Sequence, residues 1–175
     1  MHTEKPVKEE TIYDGRILKL NRDEVILENG ERAIREVIHH SGGAGVLAVD
    51  DEENIYLVKQ FRYPYGEEML EIPAGKLSKG EDPLACAKRE LEEETGMVAD
   101  KWELLGAFRP SPGYTDEKLY VYIARELKEG SQHLDADEFL DVERYDLFRA
   151  VKMIERGEIT DAKTVIAIYK YLIDR

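Results

Sequence analysis

One short helix constrains this chain more than any other feature. Asp82 suits a helix N-cap, Pro83 the first helical position and Gly96 the position just past the end, so a helix is expected from about Pro83 to Thr95. On a 3.6-residue period Leu84, Ala87 and Leu91 share one face, while Glu90, Glu93 and Glu94, related by steps of three and four, share another. Like charges at that spacing weaken a helix by about 0.3 kcal/mol per pair, so the acidic face needs either solvent or a cation over it. Hard divalent cations, which prefer oxygen ligands, are the natural candidates.

The helix sits inside a longer pattern. From Gly75 the chain reads glycine, five residues, Glu81, seven residues, Arg89-Glu90-Leu91, one residue, Glu93-Glu94, one residue, then Gly96 and the aliphatic Met97. This resembles the signature of the Nudix hydrolases at every defined position, with a loop and helix expected where that motif needs them. The resemblance implies an α/β fold, a Nudix-type α/β/α sandwich with a mixed sheet. It also implies Mg²⁺ activating water against a phosphoanhydride.

Composition narrows the rest. At 175 residues, with 42% hydrophobic and 36% charged, the chain fits one folded domain with a small appended element. A net charge of −13 argues against a nucleic-acid surface, which needs a basic patch. Cys86 is the only cysteine and reads as a small packing residue. The first ten residues have neither an apolar core nor a cleavage-site character, and no apolar run approaches a membrane span, so no membrane partner and a cytoplasmic location are expected.

Residues 11–38 read as a small antiparallel unit with turns at Asp14-Gly15 and Asn29-Gly30. Two regions are expected: residues 1–43, this N-terminal β element, and residues 44–175, the catalytic domain. In the second, 45–49 and 54–60 should form a hairpin across the acidic turn 50–53, and 69–72 leads into the signature loop. Strands at 102–108 and 118–123 should flank the turn-rich 109–115, with closing helices at about 146–155 and 161–173.

Further segments resemble the ADP-ribose pyrophosphatase branch of the family, 58–64, 71–75, 111–117, 134–139 and 157–164, and the resemblance covers essentially the whole chain. Carried over residue by residue, this resemblance implies that Ala74, through its carbonyl, and the carboxylates of Glu90 and Glu94 hold metal, with Glu93 as an auxiliary ligand. Two or three Mg²⁺ ions are expected per site, with Mn²⁺ as an alternative. Arg89 is read as orienting these carboxylates, and Glu81 as tying loop amides. The catalytic base is expected from the acidic loop 135–138, with Glu138 first and Glu93 second; Ala136 departs from the common Asp-Glu-Asp-Glu pattern and removes one candidate.

For substrate, Arg62 is the candidate for a phosphate oxygen, Glu71 for adenine and Glu117 for the linker or ribose. Pro112 lies 15 residues past Met97, where this branch places a proline. The resemblance also implies a homodimer in which the N-terminal unit is exchanged and covers the partner's site. The expected activity is hydrolysis of a small nucleoside diphosphate sugar, ADP-ribose, to AMP and ribose 5-phosphate. Alternatives are the same chemistry on GDP-mannose, and, in another class, a non-catalytic ADP-ribose sensor.

Overall fold

The computed structural model describes residues 2–174 and divides the chain into two compact units, Met1–Gly42 with Arg109–Lys118, and Gly43–Phe108 with Leu119–Arg175. The first holds an antiparallel sheet of β1 (Lys5–Lys8), β2 (Thr11–Asp14), β3 (Leu18–Ile26) and β4 (Arg32–His40). β4 runs along the whole of β3, while β1 pairs with its residues 24–26 and β2 with its residues 19–21. Such a sheet buries little by itself: every residue of β1 and β2 is exposed, including Val7, Ile12 and Tyr13. Arg109–Lys118, counted with 44–175 in the sequence reading, clusters here instead. The physical reason is main-chain pairing with β4: Ile38 N donates to Tyr114 O at 2.7 Å and Asp116 N to Ile38 O at 3.2 Å.

The second unit is built on a seven-stranded mixed sheet. Its order is β11 (Leu140–Asp146), β6 (Asn54–Arg62), β5 (Gly43–Val49), β10 (Leu119–Glu129), β9 (Met97–Phe108), with β7 (Glu67–Glu71) added to β6 and β8 (Ala74–Lys76) to β5. Only β5 and β10 run parallel. Successive side chains of a strand face opposite sides, and β5 shows what this does. Ala44, Val46 and Ala48 pack with Cys86, Ala87 and Leu91 of α1 (Pro83–Thr95). Leu47 and Val49 join the larger core with Leu147 and Ala150 of α2 (Leu147–Glu155) and Ile168 and Tyr171 of α3 (Ala162–Ile173). Helices on both faces of a sheet make the expected α/β/α sandwich.

Three strands escape the sequence reading. β1 is short, exposed and charged, and β8 is only three residues long. β11 carries a legible alternation, Leu140 and Val142 against Asp141 and Glu143, and pairs antiparallel with β6. β9 also starts earlier than 102, directly after Gly96, because its first half pairs with the far end of β10.

Candidate active site

The signature helix is capped as its residues dictate. Asp82 accepts from Leu84 N at 3.0 Å and Ala85 N at 3.1 Å, and Gly96 closes the far end with φ 69°, a conformation that favours glycine. The last carbonyls of α1 are met by the chain that follows β10: Gly130 N donates to Gly96 O at 2.7 Å, His133 N to Glu93 O at 3.0 Å and Gln132 Nε2 to Glu94 O at 2.7 Å. This anchors the start of the loop that carries Glu138.

The three glutamates of the acidic face have three different fates. Glu93 is half-buried and receives Arg89 Nη1 at 2.8 Å. Glu90, 7% exposed, receives the same nitrogen at 2.6 Å. Its carboxylate lies so close to the signature loop that a Cβ on Gly75 would stand 1.9 Å from Oε1, so a larger residue there would displace this carboxylate. Glu94, 3% exposed, accepts from Ala74 N at 3.0 Å and has no cation within ion-pair distance among the described residues. Burial, then the charges of Glu90 and Glu138, push its carboxyl up to about 8. Glu90 is also raised, first by burial and then by Glu93 and Glu138, against the pull of Arg89.

The structure thus brings Ala74, Gly75, Glu90 and Glu94 together and sets the charge of Glu138 within reach of both buried carboxylates. Among the described residues no three His, Cys, Asp or Glu side chains gather at one point. The donors are all hard oxygens, and the excess of buried negative charge is what a divalent cation relieves, so the residues present fit such an ion. Arg89 also reaches Glu81 at 3.0 and 3.2 Å, while Glu81 accepts from Ser78 N at 2.8 Å. One guanidinium therefore links helix and loop, as its planar fork allows. Cys86 is fully buried, and burial followed by the charges of Glu81 and Glu90 raises its thiol to about 12, which suits a packing residue and not a nucleophile.

A second charged group stands at the end of β7. Arg62 donates Nε to Glu71 Oε1 at 2.6 Å and Nη2 to Oε2 at 2.8 Å. Lys163 Nζ also donates to Glu71 Oε2. Burial alone would raise Glu71, yet these two cations hold it below the usual carboxylate range. Both of its oxygens accept from the chain's own cations, so it anchors them. The sequence reading passes over Lys163; the signal available was a lysine just inside a helix start that Asp161 caps.

Pro112 and Glu117 lie in the other unit. Ser111 O accepts from Tyr114 N at 3.2 Å and Thr115 N at 3.1 Å, forming the turn that holds Pro112. Asp116 takes His39 Nδ1 at 2.6 Å and His40 N at 3.0 Å, and Glu117 lies 3.4 Å from His40 Nδ1. These histidines, without a role in the sequence reading, fasten the turn to β4.

Comparison with known proteins agrees with this geometry. The NUDIX domain model matches residues 39–167, and the nucleoside diphosphate sugar hydrolase N-terminal domain model matches residues 4–38. An ADP-ribose pyrophosphatase of Bacillus subtilis (strain 168) is 47% identical over 94% of this chain and 90% of its own. A methanol dehydrogenase activator of Bacillus methanolicus is 46% identical over the same shares. A GDP-mannose pyrophosphatase of Citrobacter koseri is 32% identical over 93% of this chain and 91% of its own. Among solved structures, an ADP compounds hydrolase superimposes with a TM-score of 0.86 over 98% of this chain and 93% of its own, at 22% identity, a likeness of fold.

Proposed function

Because the chain belongs to the Nudix hydrolase family, enzymes that cleave phosphoanhydride bonds, we propose that it hydrolyses ADP-ribose to AMP and ribose 5-phosphate. The observation that carries this reading is the 47% identity, over nearly the full chain, to an ADP-ribose pyrophosphatase. Nudix hydrolases typically use divalent metal ions. Here Mg²⁺, with Mn²⁺ as an alternative and two or three ions per site, supplies charge screening for the diphosphate and a lowered pKa for the attacking water.

The chain's own residues divide the remaining work. Glu90, Glu94 and the Ala74 carbonyl hold metal, with Glu93 as an auxiliary ligand; the burial of Glu90 and Glu94 against the Ala74-Gly75 loop supports this assignment. Arg89 fixes the direction of Glu81, Glu90 and Glu93. Glu138 takes the proton from water, with Glu93 as the second candidate, and its electrostatic reach to Glu90 and Glu94 favours it. Arg62 binds a phosphate oxygen, Glu71 anchors Arg62 and accepts from adenine with its remaining lone pairs, and the turn bearing Pro112 and Glu117 meets the linker or ribose.

We further infer a homodimer in which the N-terminal unit is exchanged; the fully exposed β1 and β2, with Val7, Ile12 and Tyr13 open to solvent, support a surface that needs a partner. The small-molecule substrate, the acidic charge and the lack, among the described residues, of any helix long and apolar enough to cross a membrane fit a cytoplasmic enzyme without nucleic-acid or membrane partners.

Incubation with ADP-ribose, GDP-mannose, ADP-glucose and flavin adenine dinucleotide in Mg²⁺ tests the reading. ADP-ribose should give the highest kcat/KM, with AMP as product. A preference for GDP-mannose would favour the second reading, which the 32% identical relative supports. Tight binding of ADP-ribose without turnover would mark a sensor.

A further inference from the structure

The cleft beside the β6–β7 turn, about 640 Å³ and lined in part by Arg62, Tyr65, Glu71, Asp161 and Lys163, holds a cation to which the reaction above gives no task. Lys163 lies in the first turn of α3 with its side chain only 14% exposed. Its Nζ donates to Glu71 Oε2 and lies 3.1 Å from Asp161 Oδ1. Asp161 is fixed in turn: its Oδ2 accepts from Thr164 N at 3.0 Å and Thr164 Oγ1 at 2.6 Å, and Thr164 Oγ1 accepts from Ile72 N at 2.8 Å. The start of α3 is thereby bonded to the strand end that leads into the signature loop.

Charge balance shows what Lys163 does there. Arg62 and Lys163 oppose Glu71 and Asp161, one cation for each acid. Arg62 gives Nε and Nη2 to Glu71, and among the described residues nothing bonds to its Nη1. Remove Lys163 and a single guanidinium faces the buried Glu71 and the half-buried Asp161, with the charges of Glu94 and Asp161 already acting on it through space. Arg62 would then be claimed by the chain's own carboxylates, and an incoming anion would meet a net negative cleft.

We propose that Lys163 is a positioning residue for substrate binding: it neutralises Glu71 and Asp161 and so leaves the Nη1 edge of Arg62 to an anionic phosphate oxygen. This rests on the reading of Arg62 as the phosphate contact.

Steady-state kinetics of K163M, K163Q, K163R and Thr164→Val with ADP-ribose and Mg²⁺ test it, alongside calorimetric binding of ADP-ribose. In K163M, and in K163Q should K163M fail to fold, KM should rise roughly 10-fold with kcat within about twofold. K163R should bring KM back toward wild type. Thr164→Val, which loses the hydroxyl's bonds to Ile72 and Asp161 but keeps every charge, should lower the melting temperature and leave KM alone. Unchanged KM in both K163M and K163Q, or an equal KM rise in Thr164→Val, would overturn the proposal. Should wild type not hydrolyse ADP-ribose, the functional reading fails separately. Calorimetry then decides on Lys163: roughly 10-fold weaker binding in K163M supports it, while equal affinity, or no binding by wild type, sinks it.

Discussion

Glu71 and Glu94 are equally buried, each 3% exposed in the same unit, and their protons behave oppositely. Glu71 is held below the ordinary carboxylate range by Arg62 and Lys163, whereas Glu94, faced by Glu90 and Glu138, is pushed up to about 8. Burial pushes both carboxyls up, and the partners decide where each one ends. A buried carboxylate with two cations of its own chain is complete. One with a single amide bond and two acidic neighbours is a place where folding has left charge unbalanced, and such local conflicts concentrate where a ligand completes the structure.

The largest effect that would break this contrast comes from Glu94→Gln. It should lower turnover by roughly 1,000-fold while leaving the metal-free protein at least as stable, because the lost charge had no partner. Wild-type turnover in this variant would remove Glu94 from the metal site. Glu71→Gln should do the reverse in kind, destabilising the protein by about 3 kcal/mol in urea unfolding, since it strands two cations around a buried neutral amide. If Glu71→Gln is as stable as wild type, the ion-pair group carries no folding energy and the contrast fails. Glu138→Gln should sharpen the comparison from the solvent side, lowering kcat roughly 100-fold with KM kept within about twofold. Full activity there would move the base to Glu93.

How much of this was legible in the sequence follows the same division. Helix α1, its caps and the shared face of Glu90, Glu93 and Glu94 depend on spacing within one turn or two, and the chain states them directly. The sandwich followed from resemblance, and the alternation of β5 between its two cores agrees with it. What could not be read were pairings across long separations. Glu71 meets Lys163 across 92 positions, and no local pattern announces that this glutamate is an anchor and not a free acceptor. Likewise, the segment with Pro112 reads as a turn, but its attachment to β4 depends on His39 and His40, more than 70 positions away. The α1 acids look alike by periodicity; Arg89, on the same helix and turned toward Glu81 of the loop before it, separates Glu93 and Glu90, which it bonds, from Glu94, which it does not.

The effect that is smallest per step, and the one that addresses the comparison most directly, is a slope. Glu94's folded pKa lies above its unfolded value of 4.5, so its contribution is fully present below pH 4.5 and is lost as pH rises through about 8. In chelator, stability should therefore fall by roughly 1 kcal/mol per pH unit across that window, each unit of displaced pKa being worth about 1.4 kcal/mol. Glu71 has the opposite sign: its contribution is present above 4.5 and is lost only as pH falls below that, so it leaves this window untouched. Melting curves from pH 5 to 8 in chelator should decline for wild type and decline less in Glu94→Gln, where the raised Glu90 remains, and Mg²⁺ should raise the wild-type curve more at pH 8 than at pH 5. A wild-type curve that is flat without metal would mean that Glu94 is balanced within the fold, like Glu71, and that the two buried glutamates do not differ after all.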